Sequence, residues 1–125
     1  MIINGKERQF ELTVQAHMEI SKMCPEENFS KIGELFSESS IAGDNTLIKI
    51  ALIMNKAYED HECHKHPGRV PDYLTEDDFA FMLFPEFNEL ERVLMQTMTA
   101  GSSVEIEVEP PKPGRKNASK GKESD

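Results

Sequence analysis

The densest group of metal-binding side chains in this 125-residue chain is His61-Glu62-Cys63-His64-Lys65-His66, with three of the four histidines and one of the two cysteines in six positions. Imidazole and thiolate are the groups that bind zinc. Structural zinc sites usually draw ligand pairs from two separated segments, and no second Cys/His pair exists here. His61, Cys63, His64 and His66 would need a further ligand to converge with them before a metal-dependent regulator or enzyme could be built. Histidines near a helix C-terminus also interact favourably with exposed carbonyls, which is reason enough for some of them. No metal or other cofactor is expected.

Other chemistry finds less support. Cys24 and His17 are seven residues apart on an expected helix, about two turns, too far for the direct hydrogen bond of a Cys/His pair. Gly33, Gly43 and Gly68 stand alone, and Gly114 and Gly121 lie near the end of the chain, so there is no glycine-rich phosphate loop. Carboxylates are abundant enough to produce close pairs by chance, and most serve a solvated face. No catalytic residue can be named, and the expectation is a protein without enzymatic activity.

Aromatic density carries more information. Phe79, Phe81, Phe84 and Phe87 are four of the seven phenylalanines, with Met82 and Leu83 between them. A helix of period 3.6 cannot turn all of Phe79, Phe81, Met82, Leu83 and Phe84 to one core face. Either neighbours cover both sides of the run or part of it is exposed and binds a partner. Met95 and Met98 on the helix that follows could add soft, adaptable surface to the same patch. The candidate partner-binding residues are therefore Phe79, Phe81, Met82, Phe84, Phe87, Met95 and Met98.

These residues have to be positioned by a small set of elements. Residues 2–12 read as a hairpin, because Asn4-Gly5 supplies the two positive-φ positions of a type I′ turn. From Thr13, an N-cap candidate, Ala16, Ile20, Met23 and Cys24 form an apolar helix stripe that Pro25 stops. A second helix is expected from Asn28 to about Glu38, ended by the Ser/Gly cluster at Ser37 to Gly43. Asp44 is the next cap candidate, and the segment from Thr46 to Asp60 is apolar nearly all round, which suits the axis of a core. Pro67, Gly68 and Pro71 mark His61 to Tyr73 as a polar loop.

Thr75-Glu76-Asp77-Asp78 then restarts a helix, and Pro85 suits the first turn of another that runs to about Thr99 with Phe87, Leu90, Leu94 and Met98 inward. Val104 to Glu109 alternates strictly as a half-buried strand would, with the N-terminal hairpin as its natural partner. The expected fold is α+β and mainly α. About five helices surround a central apolar helix, with a small antiparallel sheet made of the N-terminal hairpin and a C-terminal strand. Residues 1–109 are read as one globular domain and residues 110–125 as a disordered basic tail.

Charge narrows the partners. The formal net charge of -9 divides into 9 basic and 21 acidic residues in positions 1–109 against 5 and 2 in positions 110–125. A body at -12 repels phosphate backbones and anionic membranes, so neither nucleic acid nor a membrane surface is an expected partner. The longest apolar run, Phe79 to Phe84, has six residues, far short of the ~20 of a membrane span. No basic segment followed by an apolar core opens the chain, and two cysteines suit reduced thiols, so the expected compartment is a cytoplasm.

The opening Ile3-Asn4-Gly5-Lys6-Glu7, with Phe10-Glu11-Leu12 after it, a helical middle, Val104-Glu105-Ile106-Glu107-Val108-Glu109 and a Pro/Lys/Ser-rich end, resembles the small tail assembly chaperones of long-tailed bacteriophages and prophages. The resemblance implies a largely helical, non-enzymatic protein that coats the hydrophobic tape-measure protein and recruits tail-tube subunits. It further implies a location in the cytoplasm of the bacterial host and absence from the mature virion. The His61–His66 cluster is not part of that resemblance. Two other classes stay open: an acidic adaptor or DNA-mimic inhibitor with its carboxylates in a phosphate-like stripe, and the metal-binding regulator described above. Self-association into a homo-oligomer is a further expectation, because an incompletely covered apolar patch can pair with its own copy.

Overall fold

The computed structural model describes residues 1–36 and 41–101. Asn4 and Gly5 take φ of 54° and 79°, so the turn between strands β1 (Ile2–Ile3) and β2 (Lys6–Glu7) has the expected positive-φ pair. The strands are antiparallel, with Ile2 opposite Glu7 and Ile3 opposite Lys6. Ile3 is buried. The second arm is shorter than the expected run to Leu12. The Arg8 N–H still donates to the Met1 carbonyl at 2.8 Å, and beyond it the chain lies along a helix instead: the Glu11 N–H donates to the Met54 carbonyl at 3.1 Å.

Helix α1 (Val14–Ser21) starts as its sequence dictates, with the Thr13 hydroxyl accepting from the Ala16 N–H at 3.2 Å. Ala16 and Ile20 point into the core. The helix stops before Pro25, and the Met23 and Cys24 N–H groups tighten its end by bonding to the carbonyls of Ile20 and Ser21. The segment Phe29–Phe36 is a 3-10 helix with Phe29 and Ile32 buried, and the Asn28 side chain accepts from the Ser30 N–H at its start.

Helix α2 (Ile41–Lys65) is the axis. Leu47, Ile50, Ala51 and Met54 are buried, Ile48, Leu52 and Ile53 pack against the same core, and α2 touches α1, the 3-10 helix Phe29–Phe36, the 76–79 turn and the last helix. It is longer than expected at both ends. Pro67 lies just past the end of the helix, where it restricts His66 but removes no N–H bond from His61 to Lys65, which continue the helix.

The helix expected from Thr75 is a single 3-10 turn, Glu76–Phe79. Four helices of eight or more residues are therefore present among the described residues, where five were expected. Pro85 explains the break: a helix running through it would lose one backbone bond and press the proline ring on the Phe81 carbonyl. The chain instead makes short turns, Ala80 N–H to Asp77 and Met82 N–H to Phe79, and begins again as α3 (Phe84–Gly101). Leu90, Leu94 and Met98 of α3 are fully buried, as their spacing requires. Among the described residues the chain is mainly helical, with one two-stranded antiparallel sheet. The expected strand Val104 to Glu109, the tail 110–125 and hence the domain boundary at 109 lie outside the described residues.

Candidate docking surface

The connection from α2 to α3 decides where the aromatic residues point. Its first part is fixed by polar groups on α2. Asn55 is fully buried; its Nδ2 donates to the Gln9 carbonyl at 3.0 Å and its Oδ1 accepts from the Leu74 N–H at 2.8 Å. One side chain thus joins the N-terminal arm, the central helix and the connection. One turn later Glu59, also buried, accepts from Arg69 at 2.8 Å and from the Asp72 N–H at 3.1 Å. Lys56 holds Asp60 at 2.7 Å and Tyr73 also donates to it, and these two contacts, the lysine first, lower the pKa of the Asp60 carboxyl.

Arg8 closes the other side. Its buried guanidinium donates to the Asp72 carbonyl at 2.6 Å and lies 3.8 Å from the carboxylates of both Asp72 and Asp78. Asp78 accepts from the N–H and hydroxyl of Thr75 and from Asn4, and those bonds, the backbone one first, lower its pKa. The sequence reading missed Arg8, Asn55 and Glu59. The signal was there in part: Asn55 and Glu59 are four residues apart, on one face of α2, and follow the buried Ile50, Ala51 and Met54.

Held in this way, the connection sorts the aromatic run into inside and outside. Phe79 is buried and Met82 half-buried, whereas Phe81, Leu83 and Phe84 are 90%, 67% and 69% exposed. Glu86 caps the start of α3 by accepting from the Leu83 N–H at 3.0 Å, and the Phe84 and Phe87 rings meet edge to face at 6.3 Å. Beside them Ile2, itself 63% exposed, faces Pro85 and Val93 across a groove of about 590 Å³ whose rim includes Glu86 and Glu89. Of the expected partner-binding residues, Phe81 and Phe84 are on the surface, and Met82, Phe87 and Met95 are half-buried. Phe79 and Met98 belong to the core and are not available to a partner. Leu83 joins the surface although the sequence reading did not select it.

The His/Cys cluster scatters. His61 Nδ1 lies 2.7 Å from Glu11, the Cys63 thiol donates to the Arg69 carbonyl at 3.3 Å, and His66 lies 3.8 Å from Glu62. His64 lines a separate groove between α1 and α2. Among the described residues no three His, Cys, Asp or Glu side chains are placed to hold a metal ion. His17 stacks on Phe29 with centroids 4.3 Å apart, while Cys24 is buried and donates to the Ile20 carbonyl. Burial pushes the Cys24 thiol up to about 11, so it stays protonated near neutrality. No described helix is long and apolar enough to cross a membrane.

No protein-family model matches the chain, and no curated protein or solved structure matches it either.

Proposed function

We propose that this chain is a non-enzymatic tail assembly chaperone of a long-tailed bacteriophage or prophage. In this reading it acts in the host cytoplasm and is absent from the mature virion. Its Phe81, Leu83 and Phe84 side chains hold apolar helix of the tape-measure protein while tail-tube subunits are recruited. The observation that carries the reading is the exposure of those three large side chains together on an acidic body, next to a groove that Ile2, Pro85 and Val93 line. Exposed apolar groups of this size in one place mark an interaction surface, and burying each one on a client contributes about 1.5–3 kcal/mol.

Coexpression tests it. The wild-type chain keeps the tape-measure protein of the same phage in the soluble fraction, and the double variant Phe81→Asp/Phe84→Asp leaves it insoluble while itself remaining folded by circular dichroism. Equal rescue by the two proteins removes this surface from the function. A tape-measure protein that precipitates equally with and without the wild-type chain removes the function itself.

A further inference from the structure

Resting on that reading of the Phe81–Phe84 surface as a docking site, we infer that its occupant is a helix whose apolar stripe is bordered by lysine or arginine. The reason is the charge that frames the patch. Between Thr75 and Glu91 the chain carries Glu76, Asp77, Asp78, Glu86, Glu89 and Glu91 and not one lysine or arginine. Among the described residues, the cations that the structure places by these elements are engaged or lie at the edge. Arg92 pairs with Glu89, the Met1 ammonium with Glu7 at 2.5 Å, and Lys49 lines a separate shallow groove with Glu76. Asp78 is used internally by Thr75, Asn4 and Arg8, and Glu89 is paired with Arg92, which leaves Glu76 and Asp77 before the exposed phenylalanines in the chain and Glu86 after them. An apolar stripe flanked by acidic residues would bring like charges together on both rims, whereas a basic border completes them.

Shape selects a helix over an extended strand. Strand addition needs a free ladder, and β1 and β2 have two residues each, enough for only a bond or two. The groove between Ile2 and the first turns of α3 is instead lined by side chains, with Pro85, Glu89 and Val93 four residues apart along α3, as in the packing of one helix against another.

Fluorescence anisotropy with two designed peptides of about 18 residues tests the inference on the full chain. Both carry leucine at i, i+3, i+4 and i+7; one is bordered by lysine, the other by glutamate. The lysine peptide is expected to bind at least about tenfold more tightly at low salt, with the gap closing as salt is raised past about 0.3 M. The charge-neutralising set Glu76→Gln/Asp77→Asn/Glu86→Gln keeps the Glu86 acceptor oxygen and should erase the preference. Phe81→Ser/Phe84→Ser should weaken both peptides. Equal affinity for the two peptides at low salt, or lysine-peptide binding untouched by the phenylalanine substitutions, overturns the inference. So does a homodimer in sedimentation that only the phenylalanine substitutions dissociate, because the surface would then be filled by a second copy. Rescue of the tape-measure protein with peptide indifference sinks the charge rule alone. Selective lysine-peptide binding without rescue sinks the tail-assembly reading alone.

Discussion

Residues 66–78 and residues 80–84 run from the end of α2 to the first residue of α3, yet they are held in opposite ways. The first stretch is crossed by bonds from Arg8, Asn55, Glu59, Asp60 and Cys63, most of them reaching its backbone or a charged partner. The second has two short turns, one bond to Glu86, and three large apolar side chains facing solvent. Polar bonds hold the first stretch, and large apolar side chains stand exposed in the second. The two facts are connected. In the proposed role, a docking surface on a fixed base loses little entropy when a partner arrives, and the base here is fixed by Arg8, Asn55 and Glu59, none of which belongs to the exposed patch.

The contrast breaks most visibly at Asn55. Asn55→Ala removes both side-chain bonds and leaves the Gln9 carbonyl and the buried Leu74 N–H without those partners, at a cost of about 2–4 kcal/mol. The urea midpoint should fall accordingly, with an unchanged slope if unfolding stays two-state. A midpoint within error of wild type would mean that the buried amide is not what holds the connection.

Acid sharpens the same half. The folded-state pKa of Asp78 is lowered from 3.8 by the Thr75 N–H, Asn4 and Arg8. A group with a depressed folded pKa contributes stability that is complete above its unfolded pKa and disappears as pH falls through the folded value. The loss therefore begins near pH 4 and continues below it. Asp78→Asn should be less stable than wild type at pH 7, and the difference should shrink between pH 4 and pH 2. A gap that stays constant over that range would show that Asp78 acts through shape and not through its charge.

How much of this was legible in the sequence depends on how local the cause is. Asn4-Gly5, Thr13 and the inward row Leu90, Leu94 and Met98 act through neighbours a few residues away, and each does what its type and spacing require. The end of α2 is not legible in Pro67, because a proline just past a helix restricts the residue before it, His66, and leaves His61 to Lys65 helical. The candidate site was half legible. Composition located the aromatic run, but its orientation depends on contacts between residues far apart in sequence: Asn55 to Leu74, Glu59 to Asp72, Arg8 to Asp72 and Asp78. No helical period could sort Phe79 from Phe81 once the segment proved to be two turns on either side of a break.

Phe81 gives the smallest expected effect and the most exact test of that sorting. Its ring is 90% exposed, so it is nearly as hydrated in the folded protein as in the unfolded chain, and truncating it removes almost no buried area. Phe81→Ala should leave the urea midpoint within about 0.5 kcal/mol of wild type, the range of ordinary surface substitutions. Phe79, two positions earlier with the same side chain, is 8% exposed and packs with Leu74, Leu90 and the rest of the core, so it sets the scale against which that small value has meaning. If Phe81→Ala instead lowers stability by more than about 2 kcal/mol, the ring is buried in solution, by this chain or by a second copy, because only desolvated aromatic area gives an effect of that size. Measuring the same variant at two protein concentrations separates the two cases: a loss that grows with concentration belongs to an interface between copies, and one that does not belongs to the core.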